Sequence, residues 1–437
     1  MKKIKKSIFA FSLFLGISFM NAQETKILTL NEAIEMGIKN SKNLKIDEAK
    51  ISEATADLLE AKNRQLPDFK LSGSYLRLGN ANVNLKFLQP GSGNGTPSPT
   101  SALIAQANLS LPLYSGGRIK YGIQSAEYLV EASKLKNENN QQAVSYNIAQ
   151  AYNNLFKANQ AIKVLKENLT ASQKRDETFM KLENNGLLAR NDRLKANLQT
   201  SNIELQLLEA KNNYSIASIN MNLLLGLSTN TVLEVDENYI SEQKDLNFVD
   251  YYLTAAQQNR KDLQALTLQR RAAELGTKSA KAENLPTIAL TGGYIAADVP
   301  KILTVYNAIN VGVGINYNLA NLWKKNSSYI KSQAIEEELA ANNELLNDQI
   351  KLEVNRDYQN LNFSNQKIEV YKKAQEQAEE NYRITKNKYD NGLATITELL
   401  DANAAKISTD VNVVNAKADA ALAYRKLLQT SGILINK

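Results

Sequence analysis

The chain contains an internal duplication, and this limits its possible folds more than any other feature of the sequence. Matching residues lie 206 positions apart at a tyrosine, at two Asn-Gly-Leu segments and at a glycine: Tyr152 with Tyr358, 185–187 with 391–393, and Gly226 with Gly432. Further upstream, 63–75 matches 282–294 at an offset of 219. Because the period is far longer than a solenoid repeat, the sequence predicts two copies of one large structural unit, at 23–230 and 231–437.

Each copy contains two segments in which apolar and polar residues alternate, as they do in a β-strand with two different faces. The strands are predicted at about 67–78 and 103–114 in the first copy and about 286–297 and 309–320 in the second. Strands of about 10 residues have the length needed to cross a bilayer at a tilt. Alternation alone equally allows two hairpins of a soluble protein, half-buried against helices.

Very long helices are predicted between these segments. Residues 118–183 contain no proline and, after Gly122, no glycine, so they predict one helix of roughly 100 Å. Thr29 and Glu32 form a capping-box pattern before the first helix, and Gly226 and Gly432 are expected to end the last helix of each copy. Apolar residues with four-three spacing in the final helix predict a coiled-coil seam.

The N-terminus and the composition exclude several function classes. Residues 1–22 combine four lysines, an apolar run and a small residue before Gln23, which predicts a secretory signal peptide. The chain has no cysteine and no histidine, which removes disulfides, most zinc sites and the usual Ser-His or Cys-His pairs. An enzyme is therefore not expected, nor is a cofactor or a metal site. The net charge of +7 includes the signal lysines and does not indicate nucleic-acid binding.

Four strands per chain are too few to close a membrane barrel, since such barrels have about eight strands or more. An open sheet edge in lipid would leave backbone groups without hydrogen-bond partners. If the strands lie in a membrane, several chains must therefore share one barrel. Two chains would give eight strands and three would give twelve, and the strand count does not choose between them.

Several motifs, most of them in matched pairs, make the chain similar to TolC-like outer-membrane efflux proteins over essentially its whole mature length. They are the duplicated order, LPDFKLSGSY at 66–75 with LPTIALTGGY at 285–294, LSLPLYSGGR at 109–118, and the two Asn-Gly-Leu breaks. The resemblance implies a mainly α fold in which long antiparallel helical hairpins form a periplasmic α-barrel. It also implies four β-strands per chain, which close as a twelve-stranded outer-membrane β-barrel in a trimer.

The resemblance further implies a passive exit duct of a tripartite efflux or type I secretion system, for small molecules or polypeptides. Its partners would be a periplasmic adaptor, also called a membrane fusion protein, and a proton-driven or ATP-driven inner-membrane pump. The adaptor would dock at the two turns farthest from the membrane, at Gly186, Leu187, Gly392 and Leu393. Leucines at two turn apices, where polar residues are expected, favour such a contact.

A gate at the same end of the helices is also implied, where charged and tyrosine side chains narrow the channel. The matching positions are Tyr389, Glu398 and Asp401 in the second copy and Asp192 in the first. The best-known member of the family has an arginine two positions after the glycine, but this chain has Ala394 there.

A cation for the gate is expected instead from the first-copy turn, at Arg190 or Arg193. Rings of carboxylates in a narrow pore attract cations and can form closing ion pairs. Alternatively, Glu398 and Asp401 only stabilise the N-terminus of their helix through its dipole. At the level of function, the alternative is a soluble periplasmic coiled-coil scaffold or adaptor, which fractionates without the membrane.

Overall fold

The computed structural model describes residues 26–79, 99–240, 246–300 and 302–435. The signal peptide predicted at 1–22 lies outside these residues. The described strands are β1 Lys26–Leu28, β2 Asp68–Arg77, β3 Ser101–Tyr114, β4 Leu233–Val235, β5 Thr287–Val299 and β6 Leu303–Asn316. The described helices are α1 Leu30–Asn40, α2 Lys42–Asn63, α3 Arg118–Asn184, α4 Arg190–Leu225, α5 Val249–Asn259, α6 Lys261–Ala282, α7 Ser327–Asp390 and α8 Ile396–Thr430.

The two longest helices occupy equivalent places in the two sequence copies. Helix α3 has 67 residues and α7 has 64, and each is followed by a short turn and a further helix. The predicted order of elements in each copy is thus confirmed. Among the described residues, no helix combines the length and the apolar character needed to cross a membrane.

The described chain divides into two compact units, and neither coincides with one sequence copy. The first unit comprises 26–40, 147–240 and 364–422, and the second comprises 41–79, 99–146, 246–300, 302–363 and 423–435. Each unit therefore combines segments from both copies.

The second unit contains a four-stranded antiparallel sheet in the order β2-β3-β5-β6. Strands β2 and β6 form its two edges. The fourth strand was predicted at 309–320, but it begins and ends earlier, at Leu303–Asn316. It ends there because the Asn318 side chain accepts a hydrogen bond from the Ala320 backbone and starts a 3-10 turn at Leu319–Leu322. In the sequence, Leu319 fits the apolar-polar alternation of the strand, but in the structure it belongs to the 3-10 turn.

The pairing register sorts the side chains of this sheet into one apolar and one largely polar face. Two neighbouring rows that cross all four strands are Phe69, Leu109, Gly292, Val311 and Leu71, Ala107, Tyr294, Ile309. The rows between and beside them, on the opposite face, are Lys70, Asn108, Gly293, Asn310 and Asp68, Ser110, Thr291, Gly312. On the apolar face Phe69 is 67% exposed and Val311 is 78% exposed. The sheet therefore presents a continuous apolar face that the described residues leave uncovered.

The core of the second unit packs where α5, α7 and the end of α8 meet. Its buried centre includes Tyr252, Val354 and Leu427. The buried Asp357 accepts a hydrogen bond of 2.6 Å from the Thr430 hydroxyl, which satisfies one of its carboxylate oxygens.

The first unit contains a small parallel sheet of β1 and β4. The buried Tyr152 hydroxyl donates to the Leu28 carbonyl at 2.7 Å and accepts from the Asp236 backbone at 2.9 Å, which joins the two strands. The predicted capping box is present at α1, where the Thr29 backbone donates to Glu32 at 3.1 Å and the Glu32 backbone donates to Thr29 at 3.3 Å.

The predicted helix ends at Gly226 and Gly432 are confirmed by their backbone conformation. Both glycines have positive φ, at 71° and 72°. The seam predicted for the final helix is only partly buried within one chain, since Leu400, Ile407 and Ala418 are buried but Ala404 is exposed.

Candidate functional site at the two helix-to-helix turns

The two turns that join α3 to α4 and α7 to α8 have the same backbone conformation. Gly186 and Gly392 have φ angles of 75° and 73°, which residues with a side chain rarely adopt. The Leu187 backbone donates to the Leu182 carbonyl at 2.8 Å, and Leu393 donates to Lys388 at the same distance. This bond spans six residues and is the mark of a Schellman motif, which ends a helix and reverses the chain.

The asparagine of each Asn-Gly pair does not share the left-handed conformation. Among the described residues, Asn307 is the only residue other than glycine with a positive φ. Positive φ is therefore confined to the glycine of each Asn-Gly pair. Asn391 instead donates its side-chain amide to the Asn387 carbonyl at 2.8 Å, so it extends the hydrogen bonding of the helix end.

Both apical leucines lie on the surface of the chain. Leu187 is 73% exposed and Leu393 is 78% exposed. The hydrophobic residue that follows the glycine of a Schellman motif often packs against its own helix. Here most of each side chain stays uncovered within the chain, so both turns offer an apolar group to a partner.

A difference between the turns lies in how the second helix begins. Thr395 and Glu398 form a capping box: the Thr395 backbone donates to Glu398 Oε2 at 2.6 Å, and the Glu398 backbone donates to Thr395 Oγ1 at 3.3 Å. The hydrogen bond from the Thr395 backbone, aided by its hydroxyl and by Lys388, lowers the pKa of the Glu398 carboxyl. The matching cap residue of the first turn is Ala189, which has no side-chain hydrogen bond.

We expect Thr395→Ala to weaken the start of α8 by about 1 kcal/mol, the usual contribution of a side-chain cap. Hydrogen exchange of the first turn of α8 should accelerate accordingly, and Ala189→Thr should slow it at α4. Because the folded pKa of Glu398 is lowered, its contribution is present at neutral pH and is lost as the pH falls through that lowered pKa. Unchanged exchange in both variants would contradict the capping assignment.

The side chains across the two turns also differ in kind. Glu183 and Arg193 form an ion pair across the first turn. The residues at these positions in the second turn are Tyr389 and Leu399, which belong to an apolar cluster. The buried members of this cluster are Phe179, Ala196, Ile396, Leu399 and Leu400.

Tyr389 is half-buried at the edge of this cluster, with its ring centroid 5.9 Å from that of Phe179. Burial raises the pKa of Tyr389, and the negative charges of Asp192 and Asp390 raise it further, while Arg175 lowers it. Tyr389 and Asp192, two of the residues assigned to the gate by resemblance, therefore interact electrostatically.

The other residues assigned to the gate are not brought into that group. The Glu398 carboxylate accepts hydrogen bonds from Thr395 in the capping box, and Arg193 forms its ion pair with Glu183 of the same hairpin. Asp401 and Arg190 are exposed, and no described residue forms an ion pair with either of them. Ala394 is half-buried.

Sequence reasoning missed three polar residues of the turns. Glu183 forms an ion pair with Arg193, and the positive charge of Arg175 lowers the pKa of Tyr389. The Lys195 ammonium lies 3.6 Å from the Asp192 carboxylate and 3.4 Å from the Thr397 hydroxyl. Comparing the turns position by position at the 206-residue offset would have pointed to Glu183, because its match is Tyr389. Among the described residues, no group of three or more acidic side chains is arranged to hold a metal ion.

Comparison with known proteins identifies the family. Residues 33–227 and 252–432 both match the sequence model described as "Outer membrane efflux protein". The chain belongs to this family. The two matched ranges correspond to the two copies of the duplication. No curated protein sequence matches the chain.

Solved outer-membrane channels have the same fold. VceC of Vibrio cholerae is 19% identical with a TM-score of 0.75, covering 92% of this chain and 96% of that chain. CmeC of Campylobacter jejuni is 18% identical with a TM-score of 0.74, covering 99% and 94%. MtrE of Neisseria gonorrhoeae, solved in an open state, is 16% identical with a TM-score of 0.73, covering 93% and 89%. At these identities the likeness establishes the fold.

Family membership gives the location and the general function. The protein is an outer-membrane efflux channel with a periplasmic extension, and it provides an exit duct. The family consists of channel proteins and not of enzymes, and its members work with other efflux components. The soluble-scaffold alternative is not favoured.

Proposed function

We propose that three copies of the chain form a passive conduit through the outer membrane, coupled through a periplasmic adaptor to an inner-membrane pump. One observation carries the proposal: within the described part of the chain, edge strands β2 and β6 have no further partner, and the sheet has an apolar and a polar face. An open, two-faced sheet of this kind is unsuited to water and to lipid alike until its edges are paired.

A closed barrel forms when β6 of one copy pairs with β2 of the next, and the resemblance to TolC-like proteins selects three copies. Three copies supply twelve strands, which lies within the range of known membrane barrels. The row of Phe69 and Val311 then faces lipid, and the row of Lys70 and Asn310 lines the lumen. No backbone edge remains exposed to the hydrocarbon, and solute passes along polar side chains.

The turns at Gly186 and Gly392 are the proposed docking site for the adaptor. Their exposed leucines, Leu187 and Leu393, supply apolar contact area, and the rigid Schellman backbone fixes the direction of each side chain. A partner that binds both turns would bury two leucines per chain.

The gate is proposed at the same turns, but with roles different from those implied by resemblance alone. Tyr389 and Asp192 form its fixed part, because the apolar cluster holds the tyrosine while the charge of the carboxylate acts on it. Asp401 and Arg190 are the exposed charges available for pairing between copies. Glu398 holds the start of α8, and Arg193 is held by Glu183.

This division of roles predicts different effects for the two carboxylates in planar bilayers. Asp401→Asn should raise the single-channel conductance, because the closing ion pair with Arg190 of a neighbouring copy is lost. It should also lower the cation selectivity, because a ring of negative charge at the constriction is lost. Glu398→Gln should leave both nearly unchanged, because that carboxylate serves its own helix. Equal changes in the two variants would contradict the assignment.

Membrane fractionation tests the proposed location of the duct. The mature protein should sediment with outer membranes, float with lipid in a density gradient and require detergent for release. Recovery in the soluble periplasmic fraction would instead support a scaffold.

A further inference from the structure

The connection from β6 to α7 differs from its counterpart in the first copy. There, Gly116 and Gly117 have positive φ angles of 66° and 86° and turn the chain directly into α3. At the 206-residue offset, the second copy has Leu322 and Trp323 at these positions, followed by Lys324. Trp323 is the only tryptophan in the sequence.

Three asparagines fix this connection. Asn318 accepts from the Ala320 backbone at 3.1 Å and starts the 3-10 turn. Asn321 donates to the Glu283 carbonyl at 3.1 Å, and Asn326 donates to the Ala280 carbonyl at 2.9 Å, so both tie the connection to the end of α6. The asparagines therefore hold Trp323 in a defined place.

The tryptophan itself lies on the surface. Trp323 is 72% exposed, and Lys324 and Lys325 beside it are exposed. A large aromatic side chain on a rigid turn is not needed for packing within the chain. Along the chain it follows an exposed apolar row of β6, formed by Ile309, Val311, Val313 and Ile315.

We propose that Trp323, Lys324 and Lys325 form a binding site for phospholipid headgroups at the edge of the membrane from which α7 emerges. Tryptophan is favoured at this depth because its ring is apolar while its N–H still finds an acceptor. The two ammonium groups match the phosphates of anionic phospholipids. The inference rests on the proposed insertion of the sheet, whose apolar row ends just before this site.

Phospholipid fits this surface better than a second copy of the chain. The site combines one apolar ring with two adjacent positive charges, which is the pattern of an interfacial anchor. The apolar row that precedes the site along the chain is on the face assigned to lipid. A neighbouring copy covering Trp323 is the competing arrangement that the experiment must separate.

The experiment uses the fluorescence of the single tryptophan in the full-length mature protein. The protein is reconstituted into phosphatidylglycerol-containing vesicles whose acyl chains are brominated either close to the headgroup or near the methyl end. Flotation of the vesicles is measured first. Trp323 emission should shift to shorter wavelength on moving from detergent to vesicles, and bromine near the headgroup should quench it more than deep bromine does.

Lysine variants test the headgroup contact separately. Energy transfer from Trp323 to dansylated phosphatidylglycerol, titrated into the detergent-solubilised protein, gives the lipid affinity. Lys324→Gln and Lys325→Gln should each weaken it by about fivefold, the effect of one basic residue near an anionic surface. The control is Lys331→Gln, which removes an exposed charge on α7 beyond the connection and should leave the affinity unchanged.

The outcomes distinguish this inference from the proposed function. Protein that does not float overturns the insertion of the sheet. Protein that floats while Trp323 is quenched by aqueous iodide and not by brominated lipid overturns the headgroup site alone. If Trp323 emission is already at short wavelength in detergent and is quenched neither by iodide nor by brominated lipid, a neighbouring copy covers Trp323. That result also overturns the headgroup site. If Lys331→Gln weakens the lipid affinity as much as Lys324→Gln does, the headgroup site is also overturned.

Discussion

Replacing Val311 by arginine is expected to remove the protein from the outer membrane. Val311 lies on the apolar face of β6, 78% exposed, in a row that crosses all four strands. An arginine on the lipid face of a membrane barrel costs roughly 2–4 kcal/mol near the bilayer midplane, and a trimer would carry three of them. We expect assembled trimer in outer-membrane extracts to fall below detection by non-denaturing electrophoresis.

The matched control is Asn310→Arg, one residue earlier on the same strand. Asn310 is also exposed, but it lies in a row with Lys70, Asn108 and Gly293 on the opposite face. A charge there should be tolerated, because that face is assigned to the water-filled lumen. If Asn310→Arg abolishes assembly and Val311→Arg does not, the faces of the sheet have been assigned the wrong way round.

Replacing Leu187 and Leu393 together by aspartate is expected to abolish efflux without affecting assembly. Both leucines lie at Schellman turns and contribute little to packing within the chain, because they are mostly exposed. Burying two unpaired carboxylates against an adaptor is strongly unfavourable, so the complex should fail to form. The measurements are accumulation of a fluorescent efflux substrate in cells, co-purification of the adaptor, and the amount of trimer.

Two controls separate the loss of the leucines from the added charge. Asn185→Asp with Asn391→Asp adds the same charges two residues earlier in each turn, and Leu187→Met with Leu393→Met keeps both sites apolar. The methionine variant should retain efflux, and the asparagine variant should retain more than the leucine-to-aspartate variant. Normal efflux by the aspartate variant in a complementing strain would contradict docking at these turns.

Much of the fold could be predicted from the sequence because its strongest signals are local. Gly186, Gly226, Gly392 and Gly432 each adopt the positive φ that ends a helix. The alternation around Phe69 predicted a strand with one apolar and one polar face, and the pairing register continues these two faces across the whole sheet. Strand ends were less predictable: Leu319 fits the alternation, but the hydrogen bond of Asn318 had already ended the strand.

The candidate site was less predictable because its contacts depend on residues that are distant in sequence. Glu398 fits both a gate and a capping box, and only the geometry around Thr395 distinguishes its role within the chain. Arg193 could be placed near the turn from the sequence, but its pairing with Glu183 depends on the relative rotation of α3 and α4. The electrostatic interaction of Tyr389 with Asp192 likewise depends on tertiary packing, because Tyr389 is held against Phe179.

Single-channel recording on the purified protein in a planar lipid bilayer tests the exit-duct account most directly. The account predicts discrete, long-lived conductance steps that favour cations, and larger, less selective steps for Asp401→Asn. Protein that is demonstrably inserted in the same lipid but gives no conductance steps in either form would contradict it.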